Sequence, residues 1–272
     1  MKRSLYSLLM LSSCSFGENI SLPSSVNNKE IIQNFDYYAN FYEEAKFRLK
    51  RALELKDNEA KIKEISDIFL GVPYVSHTLS GSNEVTEELV VNFGAVDCFT
   101  FLDYVEALRR SDSLADLSHN IISTRYFNED VSYISRRHFF SDWVSEKPFN
   151  AYDVTGELSS DAISVRKILN KTKEGNSFVP NLAPKVRYVS YISSDDIDKR
   201  VVGRLETGDY IGIYSEAKGL DVSHTGIYIN TDDGPMLRHA SSKPGNMKVV
   251  DSPFYEYISN VPGIVVYRAT DR

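Results

Sequence analysis

The chain has 272 residues, 42% of them hydrophobic, enough to bury one sizeable core in one main domain with room for a helical extension. Its 31 basic and 38 acidic residues leave a formal charge of -7, spread along the chain rather than gathered in blocks. No Lys/Arg-rich stretch accompanies aromatic stacking positions, which argues against nucleic acid as a partner.

The N-terminus MKRSLYSLLMLSSCSFG carries Lys2 and Arg3, an apolar run from Leu5 to Leu11, and small residues before Cys14. That order is the grammar of an export signal, and the run is far short of the roughly 20 residues a spanning helix needs. The tetrad LSSC also resembles a bacterial lipobox, in which the cysteine is lipidated and begins the mature chain. Cys14 is therefore either a lipid-anchor site or part of a cleaved leader, and residues 1–14 are set apart as signal. A polar Ser/Asn stretch follows at 21–28. Tyr38, Phe41, Ala45, Leu49 and Leu53 then recur near helical spacing, so 15–60 reads as a polar linker and an amphipathic helix over 35–55. A second helical stretch, KIKEISDIFLG, runs from Lys61 and stops at Gly71 and Pro73.

From Cys98, the residues Phe101, Leu102, Val105 and Leu108 predict a helix over VDCFTFLDYVEALRR, entered at Asp97 or Cys98. The latter half changes texture. KVRYVSYI, TGDYIGIYS, HTGIYIN, MLRHAS and GIVVYRA are rich in β-branched and aromatic residues and punctuated by DDG, KPG and VPG. Helices first and strands later predict an α+β domain with helices packed on an antiparallel sheet.

Cys98 is the candidate nucleophile. Without Cys14 it has no intramolecular disulfide partner, and the first turn of a helix is expected to lower a thiol's pKa. It requires a base, or else it is a small buried hydrophobe. Among His77, His119, His138, His224 and His239, only the last two fall in strand-like stretches joined by a turn. If Ile229 pairs with Met236, His239 lies opposite Gly226, and both imidazoles project from one face as diagonal neighbours. One could then act as base while the other orients it. The competing chemistry for the same atoms is a metal held by Cys98, Asp97, His224 and His239, although no close CxxC or HxxxH pair nucleates such a site. His77 and His119 read as a loop residue and a solvated helix residue.

The phrases LVVNFGAVDCFTFLDYVEAL, YISRRHFFSDWV, GDYIGIYSEAKGLDVSHTGIYI and LRHASS, in that order over about residues 62–270, resemble the N-acetylmuramoyl-L-alanine amidase-like family. That family is a branch of the NlpC-type cysteine peptidase superfamily. The resemblance implies a papain-like fold for 61–272, with Cys98 as nucleophile, His224 as general base and His239 as the orienting third residue. FLGVPYVSHTLSG resembles a cleft-lining segment, which makes Tyr74 either a substrate contact or a packed aromatic. Asp97 would recognise a substrate amine or cap the helix. Within YISRRHFFSDWV, the residues Tyr133, Arg136, His138, Asp142 and Trp143 would build the substrate groove, or else form core and a structural ion pair involving Arg136 or Arg137. Phe99 departs from the small polar residue expected after the cysteine. The implied activity is cofactor-free hydrolysis of a peptidoglycan amide in the periplasm or at the outer membrane as a lipoprotein. The bond is the muramoyl–L-alanine amide or, as in other members of the superfamily, that from D-glutamate to the diamino acid; acyl transfer and non-catalytic wall binding are the other readings.

Overall fold

The computed structural model describes residues 43–270; the expected signal with Cys14, most of the linker and the predicted first helix up to residue 42 lie outside the described residues. The strands are Ala151–Asp153 (β1), Ile163–Leu169 (β2), Lys185–Ser193 (β3), Tyr210–Tyr214 (β4), Val222–Thr231 (β5), Gly234–Ser241 (β6), Lys248–Pro253 (β7) and Gly263–Ala269 (β8). The helices are Glu43–Glu54 (α1), Asn58–Ile68 (α2), Cys98–Arg110 (α3), Leu117–Arg125 (α4), Asp142–Ser145 (α5), Thr155–Leu158 (α6), Lys199–Val202 (α7) and Phe254–Ile258 (α8). All strand pairs are antiparallel, in the order β2-β3-β8-β4-β5-β6-β7, with β1 on β8.

Strand β4 explains why the sheet has helices on both faces. Its sequence YIGIY shows no polar alternation because every residue is buried. Tyr210 and Tyr214 enter a core with α1 to α4, while Ile211 and Ile213 enter a second core with α6, α7 and α8. The expected α+β class is what forms, and the helices cover two faces of the sheet rather than one. Leu49, Ala52 and Leu53 of α1 share the first core with Ile62 and Ile65 of α2, so the expected boundary after residue 60 falls inside α2 and inside one core. Among the described residues, no helix is long and apolar enough to cross a membrane.

Strands β1, β2 and β7 escape the sequence pattern. Strand β1 has three residues, β2 is an edge carrying Arg166 and Lys167, and β7 contains Asp251 and ends at Pro253. Beyond α2, Gly71 adopts φ +86° and turns the chain onto β7, where Gly71 N–H donates to Val249 O at 2.9 Å and Val249 N–H to Val72 O at 2.8 Å.

Helix α3 begins at Cys98 because Asp97 caps it. Asp97 Oδ1 accepts from Phe99 N at 3.0 Å and Thr100 N at 2.7 Å, while Thr100 Oγ1 accepts from Asp97 N at 2.9 Å. Every residue from Thr100 to Arg109 is buried, so the helix must satisfy its charges internally. Glu106 does so by accepting from Arg109 at 2.7 and 2.9 Å, Arg110 at 2.6 Å and the Tyr210 hydroxyl at 2.6 Å. Burial by itself would raise the Glu106 pKa, but Arg109 and Arg110 outweigh it and hold the carboxyl below its ordinary value of 4.5.

Glu106→Ala strands Arg109 in the interior and is expected to lower stability by about 3–5 kcal/mol in urea denaturation. A group held below its unfolded pKa contributes fully above that value and loses its contribution as pH falls through the folded one. The stabilisation by Glu106 is therefore expected to persist down to pH 4.5 and fade below it, and a loss smaller than 1 kcal/mol in Glu106→Ala would contradict this account of α3.

Candidate active site

Strands β5 and β6 pair in the register in which Ile229 faces Met236, continuing to Thr231 opposite Gly234. Asp232 and Asp233 alone close the hairpin, and Gly234 takes φ +110°. The two imidazoles meet across these strands: His224 Nε2 lies 2.8 Å from His239 Nδ1, with the rings perpendicular at 4.9 Å. Gly226 makes the approach possible, since a Cβ there would lie 3.0 Å from His239 Cβ and 2.9 Å from Arg238 O. His239 continues the chain of contacts through Nε2 to Ser252 Oγ on β7 at 3.0 Å. Ser252 was invisible to sequence reasoning because β7 itself was. Tyr257 of α8 was missed for the same reason; its ring lies 5.0 Å from that of His239 and 6.3 Å from that of His224.

Cys98 is half-buried at the head of α3. The residue after His224 ties it to β5: Thr225 Oγ1 donates to Cys98 O at 2.8 Å. The thiol does not have the lowered pKa expected of a helix N-terminus. Burial, and then the neighbouring Asp97 carboxylate, push it up to about 12, against the opposing pull of the Thr225 N–H, the Thr225 hydroxyl and the Cys98 N–H. The helix dipole is real, but Asp97 neutralises the end at which Cys98 would profit from it. Burial, and then the charges of His239 and Lys243, lower the His224 pKa to about 3. Burial, and then Lys243, lower that of His239 to about 4 against the pull of Asp251. At neutral pH the resting site therefore holds a neutral thiol and two neutral imidazoles.

The other expected site residues divide. Asp97 is the helix cap through Oδ1, and its Oδ2 accepts no hydrogen bond among the described residues. Tyr74 is half-buried against the first core and bridges to Val96, two residues before Cys98. Trp143 corrects the expected groove: it is completely buried among Phe99, Phe140 and Tyr210, at ring distances of 5.9, 6.2 and 5.1 Å, where no ligand reaches it. Phe99 is aromatic because it packs on that indole. Arg136 is likewise engaged as a structural ion pair with Glu87, whose other partner is the Tyr126 hydroxyl at 2.6 Å. His138 Nε2 donates to Tyr133 O at 2.7 Å, and burial, first among the causes, lowers its pKa to about 4. Asp142 is buried against Arg187 at 3.2 Å and Lys185 at 3.4 Å. The segment 133–144 instead anchors the β4–β5 loop, where Ser141 N–H donates to Asp221 Oδ2 at 2.7 Å. His77 and His119 are exposed. Among the described residues, no three His, Cys, Asp or Glu side chains converge as the alternative metal reading requires.

The fold and this polar centre define an α+β protein in which a cysteine-headed buried helix meets a strand pair carrying coupled histidines. The chain belongs to the N-acetylmuramoyl-L-alanine amidase-like family, whose model matches residues 64–264. Two crystal structures of an N-acetylmuramoyl-L-alanine amidase from Bacteroides uniformis are similar at 28% and 29% identity, with TM-scores of 0.65 and 0.66. Each match covers 78% of this chain and 99% of the other. A Legionella pneumophila protein shares the fold at 20% identity and TM-score 0.70, over 89% of this chain and 97% of its own. No curated protein matches the sequence.

Two outcomes follow from the geometry and its electrostatics. With its thiol at about 12, Cys98 is expected to react with iodoacetamide at pH 7 more slowly than free cysteine, and faster alkylation would overturn the neutral resting state. Histidines held below their unfolded value of 6.5 make the fold lose stability as pH falls from 6.5 towards 4, since the unfolded chain binds those protons first. His239→Gln is expected to flatten that part of the stability profile; an unchanged slope in denaturant titrations would contradict it.

Proposed function

We propose that the protein is an exported cysteine hydrolase that cleaves the amide between N-acetylmuramic acid and L-alanine in peptidoglycan. The observation that carries this reading is the run of contacts His224–His239–Ser252 on a strand pair tied through Thr225 to the backbone of a cysteine at a helix N-terminus, in a chain of the amidase-like family. The same layout supports assignment of the domain, with α1 and α2 packed into its core, to the NlpC-type, papain-like superfamily, and 1–14 is proposed as signal. Cys14 is either lipidated as the first residue of the mature chain, anchoring the protein to a membrane, or removed with the leader.

The hydrogen bonds allow two tautomer arrangements, and the role of His224 as base selects one of them. His224 Nε2 donates to His239 Nδ1, which requires His239 to carry its proton on Nε2 and donate to Ser252 Oγ. This leaves His224 Nδ1 unprotonated and available as the base. Because thiol and imidazole are both neutral at rest, proton transfer accompanies attack instead of preceding it. The Cys98 sulfur bonds to the lactyl carbonyl carbon, and its proton passes to His224 Nδ1. The N–H groups of Phe99 and Thr100 are taken by Asp97, so the Cys98 N–H beside its own sulfur is the donor left for the oxyanion. Protonated His224 then gives its proton to the departing L-alanine nitrogen. Water, deprotonated by the same imidazole, cleaves the thioester and regenerates the thiol. Asp97 Oδ2 and the Tyr74 ring flank the nucleophile as substrate contacts, and Tyr133 offers a half-exposed ring.

Purified sacculi digested with the parent protein are expected to release peptides beginning with L-alanine, identified by mass spectrometry. Cys98→Ala is expected to release none, and His224→Ala to lose about 10²–10⁴-fold in rate. Fragments cut after D-glutamate would keep the mechanism and move the bond. Equal release by the parent and Cys98→Ala would sink the proposal.

A further inference from the structure

Strand β2 ends the sheet, and among the described residues no strand pairs with its outer edge. Beside it lies a cleft of about 470 Å³, walled by β2, the segment 171–175 and the β4–β5 loop. Besides Lys167, four cations line it: Arg166, Lys171, Lys173 and Lys218. None has an ion-pair or hydrogen-bond partner among the described residues, in a protein whose net charge is -7. One carboxylate, Glu216, faces them across the loop. Like charges gathered without partners repel one another, so the cluster disfavours the folded state unless something anionic occupies it.

The wall is built, not incidental. Lys167 is buried and uses its ammonium on three carbonyls of the loop, those of Ser215, Ala217 at 3.2 Å and Leu220 at 2.8 Å. Tyr191 and Tyr214 stack at 3.8 Å behind it, with the Lys167 ammonium 4.7 Å from the Tyr214 ring. Asn170 N–H donates to Gly219 O at 2.9 Å and closes the end of the cleft. The loop's other end is held by Ser141 on Asp221 and leads into Val222 and His224. One loop thus forms the cleft wall and leads into the strand that carries His224.

We propose that this cleft binds an extended anionic peptide bearing several carboxylates and one free amine, seated along the edge of β2. The four cations take the carboxylates, Arg166 with the fork geometry that suits a bidentate contact, and Glu216 takes the amine. The free edge of β2 offers main-chain donors and acceptors to an extended chain, as in strand addition. A phosphate polymer would satisfy the cations but gains nothing from a strand edge, and Glu216 would repel it. Resting on the hydrolase reading, the ligand is the stem peptide of peptidoglycan, held on the approach to His224.

The test uses the full chain carrying Cys98→Ala, so that binding is read without cleavage, and calorimetric titration with the tetrapeptide N-acetyl-L-alanyl-γ-D-glutamyl-diaminopimelyl-D-alanine, whose one free amine is that of the diaminopimelyl side chain. Replacing the four cations together by Gln is expected to weaken binding about tenfold or more, while a charge-keeping set of Lys171→Arg, Lys173→Arg and Lys218→Arg retains it. Amidating the peptide's carboxylates is expected to weaken binding as much as the Gln set does. Binding unchanged in the Gln variant overturns the proposal, and so does inorganic polyphosphate binding more tightly than the peptide and losing affinity in that same variant. Cation-dependent peptide binding with no turnover of sacculi by the parent would sink the hydrolase reading alone. Turnover with cation-independent binding would sink the cleft alone.

Discussion

Burial of α3 on all sides is the constraint on which the rest of the structure depends. A helix with Asp103, Glu106 and Arg109 in its interior turns can be enclosed only if each charge finds a partner. Glu106 reaches Arg109, Arg110 and the Tyr210 hydroxyl, and Asp103 reaches Arg125 at 2.8 Å, whose guanidinium also donates to Val90 O at 2.7 Å. Those contacts join α3 to β4, α4 and the segment that leads into Cys98. The helix therefore has one axial position, and its first residue arrives against β5 without freedom to slide. A thiol at a fixed place beside a fixed strand is the precondition for any chemistry at Cys98.

The same burial sets the electrical state of the site. Removing water from Cys98 and from the histidines favours the neutral form of each, and Asp97 and Lys243 push in the same directions. The site resembles a hydroxyl nucleophile with a neutral base more than a preformed thiolate–imidazolium pair. On the proposed cysteine mechanism, reactivity would wait for a substrate to occupy the helix terminus, and Cys98 would be spared from alkylation or oxidation while it is idle.

The histidine pair shows how a small residue can matter more than the large ones around it. His224 and His239 are diagonal neighbours, and a side chain at Gly226 would fill the space between their strands. The hydrogen bond at 2.8 Å exists because nothing stands there. Segment 133–144 contributes at a distance, since its aromatics and its ion pairs pack behind the β4–β5 loop and hold the strand that carries His224.

Local patterning was sufficient for α2, for the start of α3 at its Asp97 cap, for β3 to β6 and β8, and for the register that sets two histidines on one face. These features depend on neighbours within a few residues, or on one tight turn, so periodicity and turn chemistry carry them. Strands β1, β2 and β7 were not legible, because short or charged edge strands take their conformation from pairing partners far along the chain. For the same reason Ser252, Tyr257 and Thr225 became neighbours of the site only when β7, α8 and α3 were assembled. Tertiary structure alone also decided that Trp143 is core, that Arg136 belongs to Glu87, and that the Cys98 thiol is raised instead of lowered. Each of those outcomes turns on burial and on charges brought together from distant positions, and neither quantity exists in a linear sequence.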